Sequence, residues 1–189
     1  MIRAFVAVRI DPGVAQRIRE VQSKLDKILR GIRWVKQEKL HLTLKFLGEV
    51  SDDRAMPIAD ALERALRFTP RFSIACRGLG VFPDIRRARV MWVGLEGEQL
   101  VRLATAVEET LEPIGFARDK REFKPHLTIG RWRSFDGRSD LLRQEIGRWQ
   151  EHNFGLSWVN EVIFFQSMLK PEGAVHTPLK VFPLGEKPI

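Results

Sequence analysis

Apolar positions run along the chain in two rhythms, and the changes between them mark the elements. Arg3-Ala4-Phe5-Val6-Ala7-Val8-Arg9-Ile10 is apolar and β-prone, and Asp11-Pro12-Gly13 stops it. Val14, Ile18, Val21, Leu25 and Ile28 follow at spacings of 4, 3, 4 and 3, the stripe of an amphipathic helix. Pro12 suits its first turn and Gly31 its end. After Arg33-Trp34-Val35 and a charged turn, residues 40–47 alternate as a strand, and Gly48 to Ser51 turn the chain. Ser51 then caps a helix carrying Ile58, Leu62, Ala65 and Leu66, which Thr69-Pro70 ends. Residues 72–81 read as the next strand.

The second half repeats this order. Residues 89–95 form a strand, and Leu100, Leu103, Val107, Leu111 and Ile114 make a helix stripe stopped by Gly115. Residues 123–131 form another strand, and Leu141, Leu142, Ile146 and Trp149 mark a further helix. Strands follow at 154–159, 161–169 and 175–184, the last kept to a sheet edge by Pro178 and Pro183. The pattern predicts an α+β fold of two packed lobes within a single domain, 1–189. Its pseudo-repeats span about 1–85 and 86–189, and the C-terminal strands are available to complete the first lobe.

Composition narrows the class. With 44% hydrophobic and 30% charged residues in 189, the chain folds rather than remaining disordered. A single cysteine excludes a disulfide-built scaffold and any Cys-rich metal site, and Cys76 reads as a buried structural thiol. No stretch reaches the roughly 18 apolar residues of a membrane span, so the expectation is a cytoplasmic protein, monomeric and without a membrane partner. The net charge of +8 is uneven, with 19 basic against 10 acidic residues in positions 1–95. Such a surplus attracts polyanions, of which nucleic acid is the commonest in a cell.

The pattern that carries chemistry is His41-Leu42-Thr43-Leu44, repeated 85 positions later as His126-Leu127-Thr128-Ile129. On a strand, each histidine shares a face with its threonine, and the apolar residues take the other face. A lone His-x-Thr is an ordinary half-exposed strand. Two copies among four histidines and six threonines arise by chance at a frequency on the order of 1%. A pair of histidines, one neutral and one protonated, supplies a base and an acid for a reaction at phosphorus, and threonine hydroxyls bind non-bridging oxygens. Lys45 falls on the same alternating face and adds charge. Around the second motif, Arg118, Lys120, Arg121, Lys124, Arg131 and Arg133 outnumber Asp119 and Glu122. His-Glu-x-x-His, Cys/His clusters, paired-Asp calcium loops and the phosphate-cradling Gly-x-x-x-x-Gly-Lys-Ser/Thr loop are all missing, so no metal and no cofactor are expected. His152 and His176 lack the threonine partner and read as surface or packing residues.

At these residues the chain resembles the two-histidine phosphoesterase superfamily, and within it the LigT-like RNA 2',3'-cyclic phosphodiesterases, first described as 2'-5' RNA ligases. The likeness spans residues 3–12, Arg33-Trp34-Val35 with residues 40–49, Gly80-Val81-Phe82-Pro83, residues 90–94 and residues 123–131. It implies two antiparallel sheets with an active-site cleft between them. It also implies metal-independent hydrolysis of a 2',3'-cyclic phosphate, on an RNA end or a nucleoside, to a 2'-phosphomonoester. Carried over, His41 is the acid on the leaving 3' oxygen, His126 is the base activating water, and Thr43, Thr128 and Arg131 hold the phosphate. Without the resemblance the two histidines are equivalent. Phe5, Trp34 and Phe46 are the aromatics nearest the motifs, candidates for stacking on a base, with core packing the competing expectation for each. The alternatives are 2'-5' joining of RNA halves and a module that holds an RNA end without turnover. One departure stands out: Gly173-Ala174-Val175-His176 replaces the Gly-x-x-Tyr common in the family, and the chain has no tyrosine.

Overall fold

The computed structural model describes residues 1–171 and 173–185, so the end of the domain expected to reach 189 lies outside the described residues. Among the described residues, nine strands and four α-helices form two antiparallel sheets with helices outside them. The strands are β1 (Ile2–Arg9), β2 (Ile32–Trp34), β3 (His41–Val50), β4 (Phe72–Phe82), β5 (Val90–Glu96), β6 (His126–Trp132), β7 (Asn153–Val159), β8 (Glu161–Lys170) and β9 (Gly173–Pro183). The helices are α1 (Pro12–Asp26), α2 (Asp52–Leu66), α3 (Glu98–Leu111) and α4 (Ser139–Trp149). One sheet has the order β3-β1-β8-β9, the other β2-β6-β5-β4-β7.

The two sequence halves do not coincide with the two sheets. β8 and β9 complete the first sheet, yet β2 and β4 leave the first half to join β5, β6 and β7. The helices cross over as well. α1 follows β1 but packs beside β7, and α3 follows β5 but packs against β3 and α2. The halves therefore interleave, and one apolar core runs through both.

Several boundaries differ from the periodicity. α1 ends at Asp26, before Ile28 and Gly31, because the chain must turn back into the short edge strand β2. β3 continues through Gly48 to Val50, and Gly48 sits in it at φ +71°, a conformation glycine adopts without steric cost. β6 begins only at His126, since Pro125 cannot donate to a ladder. β9 lies at a sheet edge, where its prolines break no inner hydrogen bond.

The face of β1 decides what lies under the first motif. Ala4, Val6 and Val8 enter the main core, whereas Phe5 and Ala7 point the other way and pack with Ile163 and Phe165 in a small second cluster. The first sheet thus buries apolar side chains on both faces, and the second cluster forms an aromatic floor beside the first motif.

Candidate active site

Both histidines are held by the same local device. His41 Nδ1 donates to the carbonyl of Lys39 at 2.8 Å, and His126 Nδ1 donates to the carbonyl of Lys124 at 2.7 Å. A carbonyl accepts only, so in the neutral ring the proton sits on Nδ1 and the Nε2 lone pair is left for chemistry. Along both strands the motif residues alternate half-buried and buried. His41 and Thr43, like His126 and Thr128, stand on one face with their apolar partners in the core. Neither threonine hydroxyl has a hydrogen-bond partner among the described residues.

A second shared feature was not legible in the sequence. The register between β3 and β1 slips at Leu44, and that between β6 and β5 slips at Ile129, the fourth residue of each motif. A β-bulge adds one residue and reverses the alternation beyond it. The residue five positions after each histidine therefore returns to the histidine's face: Phe46 after His41, Arg131 after His126. Both are exposed, and the two residues before each are buried.

This bulge overturns the placement of Lys45. Strict alternation puts Lys45 beside His41 and Thr43, but its side chain is turned inward and 5% exposed. Its Nζ pairs with Glu108 of α3 and donates to the Ala117 carbonyl. It is a buried structural cation rather than a phosphate ligand.

The aromatic candidates separate as well. Phe46 is 73% exposed, and its ring lies 6.0 Å from that of Phe5. Phe5 is buried and carries the His41 ring at 5.1 Å and the Phe165 ring at 5.1 Å, so it supports the histidine and has no free face for a base. Trp34 lies on the far side of its sheet: its Nε1 donates to Asp26 of α1 at 2.8 Å. Its ring lies over Gly130, where an added Cβ would meet it at 3.0 Å. Neither Phe5 nor Trp34 is placed to stack on a ligand.

Sequence reasoning missed the surroundings of the two rings. His176, read as a surface or packing residue, meets His41 edge-on at 5.2 Å and Phe5 at 5.0 Å. Lys39 Nζ donates to the Ala174 carbonyl at 2.9 Å, tying the segment before His41 to β9 just ahead of His176. The signal available was the Gly173-Ala174-Val175-His176 departure itself. On the other sheet, the His126 ring packs edge-on against Phe82 at 4.9 Å and near Trp92 at 6.4 Å. Gly80 makes room for Trp92, because a Cβ there would meet its indole at 2.1 Å. Nδ1 of His176 and Nε1 of Trp92 are buried without a hydrogen-bond partner among the described residues. His152 packs between Trp149 and Phe154, as expected.

Electrostatics link the sheets. β3 and β6 approach one another across the boundary between them, and the charge of Arg131 on β6 is felt at His41 on β3. Burial is the main cause that holds His41 below 6.5. The Lys39 carbonyl opposes this by favouring the protonated ring, and Arg131 adds to the lowering. His176 is pushed down to about 4 by burial, with His41 and Lys39 contributing. Cys76 is buried and pushed up to about 12 by desolvation, as a structural thiol should be. Among the described residues, no three His, Cys, Asp or Glu side chains form a group able to hold a metal ion. No helix there is long and apolar enough to cross a membrane.

Residues 8–92 match the family model described as LigT like Phosphoesterase. An Archaeoglobus fulgidus protein named RNA 2',3'-cyclic phosphodiesterase is 36% identical over 183 residues, covering 96% of this chain and 99% of that protein. One of the same name from Methanothermobacter thermautotrophicus is 36% identical over 97% of this chain and 99% of its own length. Among solved structures, a Thermus thermophilus protein superposes with a TM-score of 0.83 at 30% identity, covering 98% of this chain and 100% of that one. Escherichia coli LigT complexed with 3'-AMP superposes with a TM-score of 0.79 at 25% identity, covering 98% and 99%.

Proposed function

The chain belongs to the LigT-like phosphoesterase family, and on that footing we propose that it hydrolyses 2',3'-cyclic phosphates of RNA ends and nucleosides to 2'-phosphomonoesters. The observation that carries this reading is the duplicated histidine geometry. On neighbouring strands of two sheets, each imidazole is fixed through Nδ1 to the carbonyl two residues earlier, with a free threonine hydroxyl on the same face.

In this reading His126 Nε2 takes a proton from water as its oxygen attacks phosphorus. The bond from phosphorus to the 3' oxygen breaks, and His41 Nε2 delivers a proton to that oxygen. Thr43 and Thr128 donate to the non-bridging oxygens, and Arg131 offsets the charge that builds on them. A phosphate anion seated beside Arg131 cancels the repulsion that Arg131 exerts on a protonated His41, so substrate binding favours the form the acid role requires. In the same reading Phe46, the exposed aromatic on the His41 face, stacks on the terminal base.

The test is turnover of a nucleoside 2',3'-cyclic phosphate by single variants. His41→Ala and His126→Ala are each expected to lose on the order of 10²–10⁴ in rate. Full activity in either variant contradicts the two-histidine mechanism.

A further inference from the structure

The row across the second sheet that contains Arg131 also contains Arg33. The two residues are direct cross-strand partners, Arg33 on β2 and Arg131 on β6. Opposed residues in an antiparallel pair share a face, with Cβ atoms about 4.5–5.5 Å apart. That this is the face away from α1 follows from the neighbours of Arg33: Ile32 and Trp34 both lie over Gly130 on the opposite face, and Trp34 binds Asp26 there. The two arginines therefore stand together on the side of His126 and Thr128, and the charge of Arg131 reaches His41.

Like charges placed directly opposite each other in a sheet are destabilising. Some exposed arginines of this protein meet carboxylates, as in Arg77–Glu151, Arg87–Asp84 and Arg118–Glu112, whereas others, such as Arg30 and Arg133, stand without an ion pair among the described residues. What distinguishes Arg33 and Arg131 is that they face each other directly. Arg33 and Arg131 are both exposed, and neither has an ion-pair partner among the described residues. A guanidinium is planar and matches two phosphate oxygens at once, which suits a pair of arginines to two adjacent phosphates.

We propose that Arg33 and Arg131 form a two-phosphate clamp, in which Arg131 faces the reacting cyclic phosphate and Arg33 holds the neighbouring phosphodiester of the RNA strand. This deepens the hydrolytic reading above and rests on it for the identity of the first phosphate. The clamp makes the protein prefer a strand ending in a cyclic phosphate over a free cyclic mononucleotide, which has only one phosphate to offer.

The experiment compares a short oligoribonucleotide ending in a 2',3'-cyclic phosphate with the nucleoside 2',3'-cyclic phosphate of the same terminal base. The full chain, Arg33→Ala and Arg33→Lys are assayed at several salt concentrations. In Arg33→Ala the ratio of kcat/KM for the oligonucleotide to that for the mononucleotide is expected to fall about tenfold, with partial recovery in Arg33→Lys. The slope of log kcat/KM for the oligonucleotide against log salt should flatten by about 0.7, one single-strand phosphate contact. A second arm measures fluorescence anisotropy of the same oligonucleotide carrying a 2'-phosphate end, which needs no turnover. Selective loss of oligonucleotide binding in Arg33→Ala supports the clamp even where the cyclic end is not hydrolysed, an outcome that removes the hydrolytic reading alone. An unchanged ratio and salt slope, or equal losses for both substrates, overturns the clamp.

Discussion

The imidazole of His176 meets that of His41 edge-on, with centroids 5.2 Å apart and planes at 81°, and both rings rest against Phe5. Two imidazoles in such contact disfavour double protonation, and burial disfavours the charged form of each. His176 therefore stays neutral until about pH 4, while in the unfolded chain it titrates near 6.5. Between those values the unfolded state binds more protons than the native state, so stability rises with pH. The contribution is complete above 6.5 and is lost as pH falls towards 4. Thermal unfolding followed between pH 7 and 4 should show Tm falling through this window. In His176→Phe, which removes the titrating group and the unpaired Nδ1 together, the fall should be shallower. Parallel curves for the two proteins would rule out the linkage.

Arg131 adds to the lowering of His41 from the opposite sheet, beside the larger effect of burial. His41 is held below 6.5 partly by that charge, so in the acid role kcat/KM declines on the alkaline side from a pH below 6.5. Arg131→Gln should shift this limb upward in pH while lowering the maximum rate through loss of the phosphate contact. A pH–rate profile of both enzymes checks the sign. A limb that stays in place shows that the charge of Arg131 does not act on the titrating acid.

Lys45 belongs to the core. Arg and Lys close to a phosphate site invite a binding role, but Lys45 and Glu108 satisfy each other under α3, with the Ala117 carbonyl as a further acceptor. Lys45→Ala strands a mostly buried carboxylate and should cost about 3–5 kcal/mol. The double change Lys45→Met with Glu108→Leu should recover much of that stability, and KM should remain near the parent value. A large rise in KM in the stable double variant would restore Lys45 to the site.

Phe46 and Phe5 are predicted to fail differently. Phe46→Ala removes an exposed ring, so stability should hold while KM for a nucleotide substrate rises, base stacking being worth about 1–3 kcal/mol. Phe5→Ala opens the floor beneath His41 and should cost about 3–5 kcal/mol of stability. Denaturant unfolding and steady-state kinetics on the two variants separate the roles, and equal stability losses would place Phe46 in the core.

The elements and the two motifs were legible because strands and helices announce themselves through periodicity, and a duplicated His-x-Thr announces itself through repetition. The exchange of β2 and β4 between sheets was not, because pairing partners depend on contacts between distant segments rather than on local pattern. Lys45 was misplaced for one reason: a bulge at Leu44 leaves no mark in hydrophobic alternation until the register is seen. The same slip at Ile129 put Arg131 on the histidine face, where strict alternation from His126 puts it on the opposite one. His176 was hidden because two strands, β1 and β8, stand between β3 and β9 in the sheet order, and no local pattern shows that the His176 and His41 rings meet across them.

The most direct test of the central claim is the position of phosphate in the product. Wild-type protein is incubated with a short RNA ending in a 2',3'-cyclic phosphate, and the product is resolved by 31P NMR or by chromatography against 2'- and 3'-phosphate standards. The two-histidine account, with His41 protonating the leaving 3' oxygen, predicts a 2'-phosphomonoester, and none at a comparable rate from His41→Ala or His126→Ala. A 3'-phosphomonoester, or the same product formed at an undiminished rate by either variant, would contradict it.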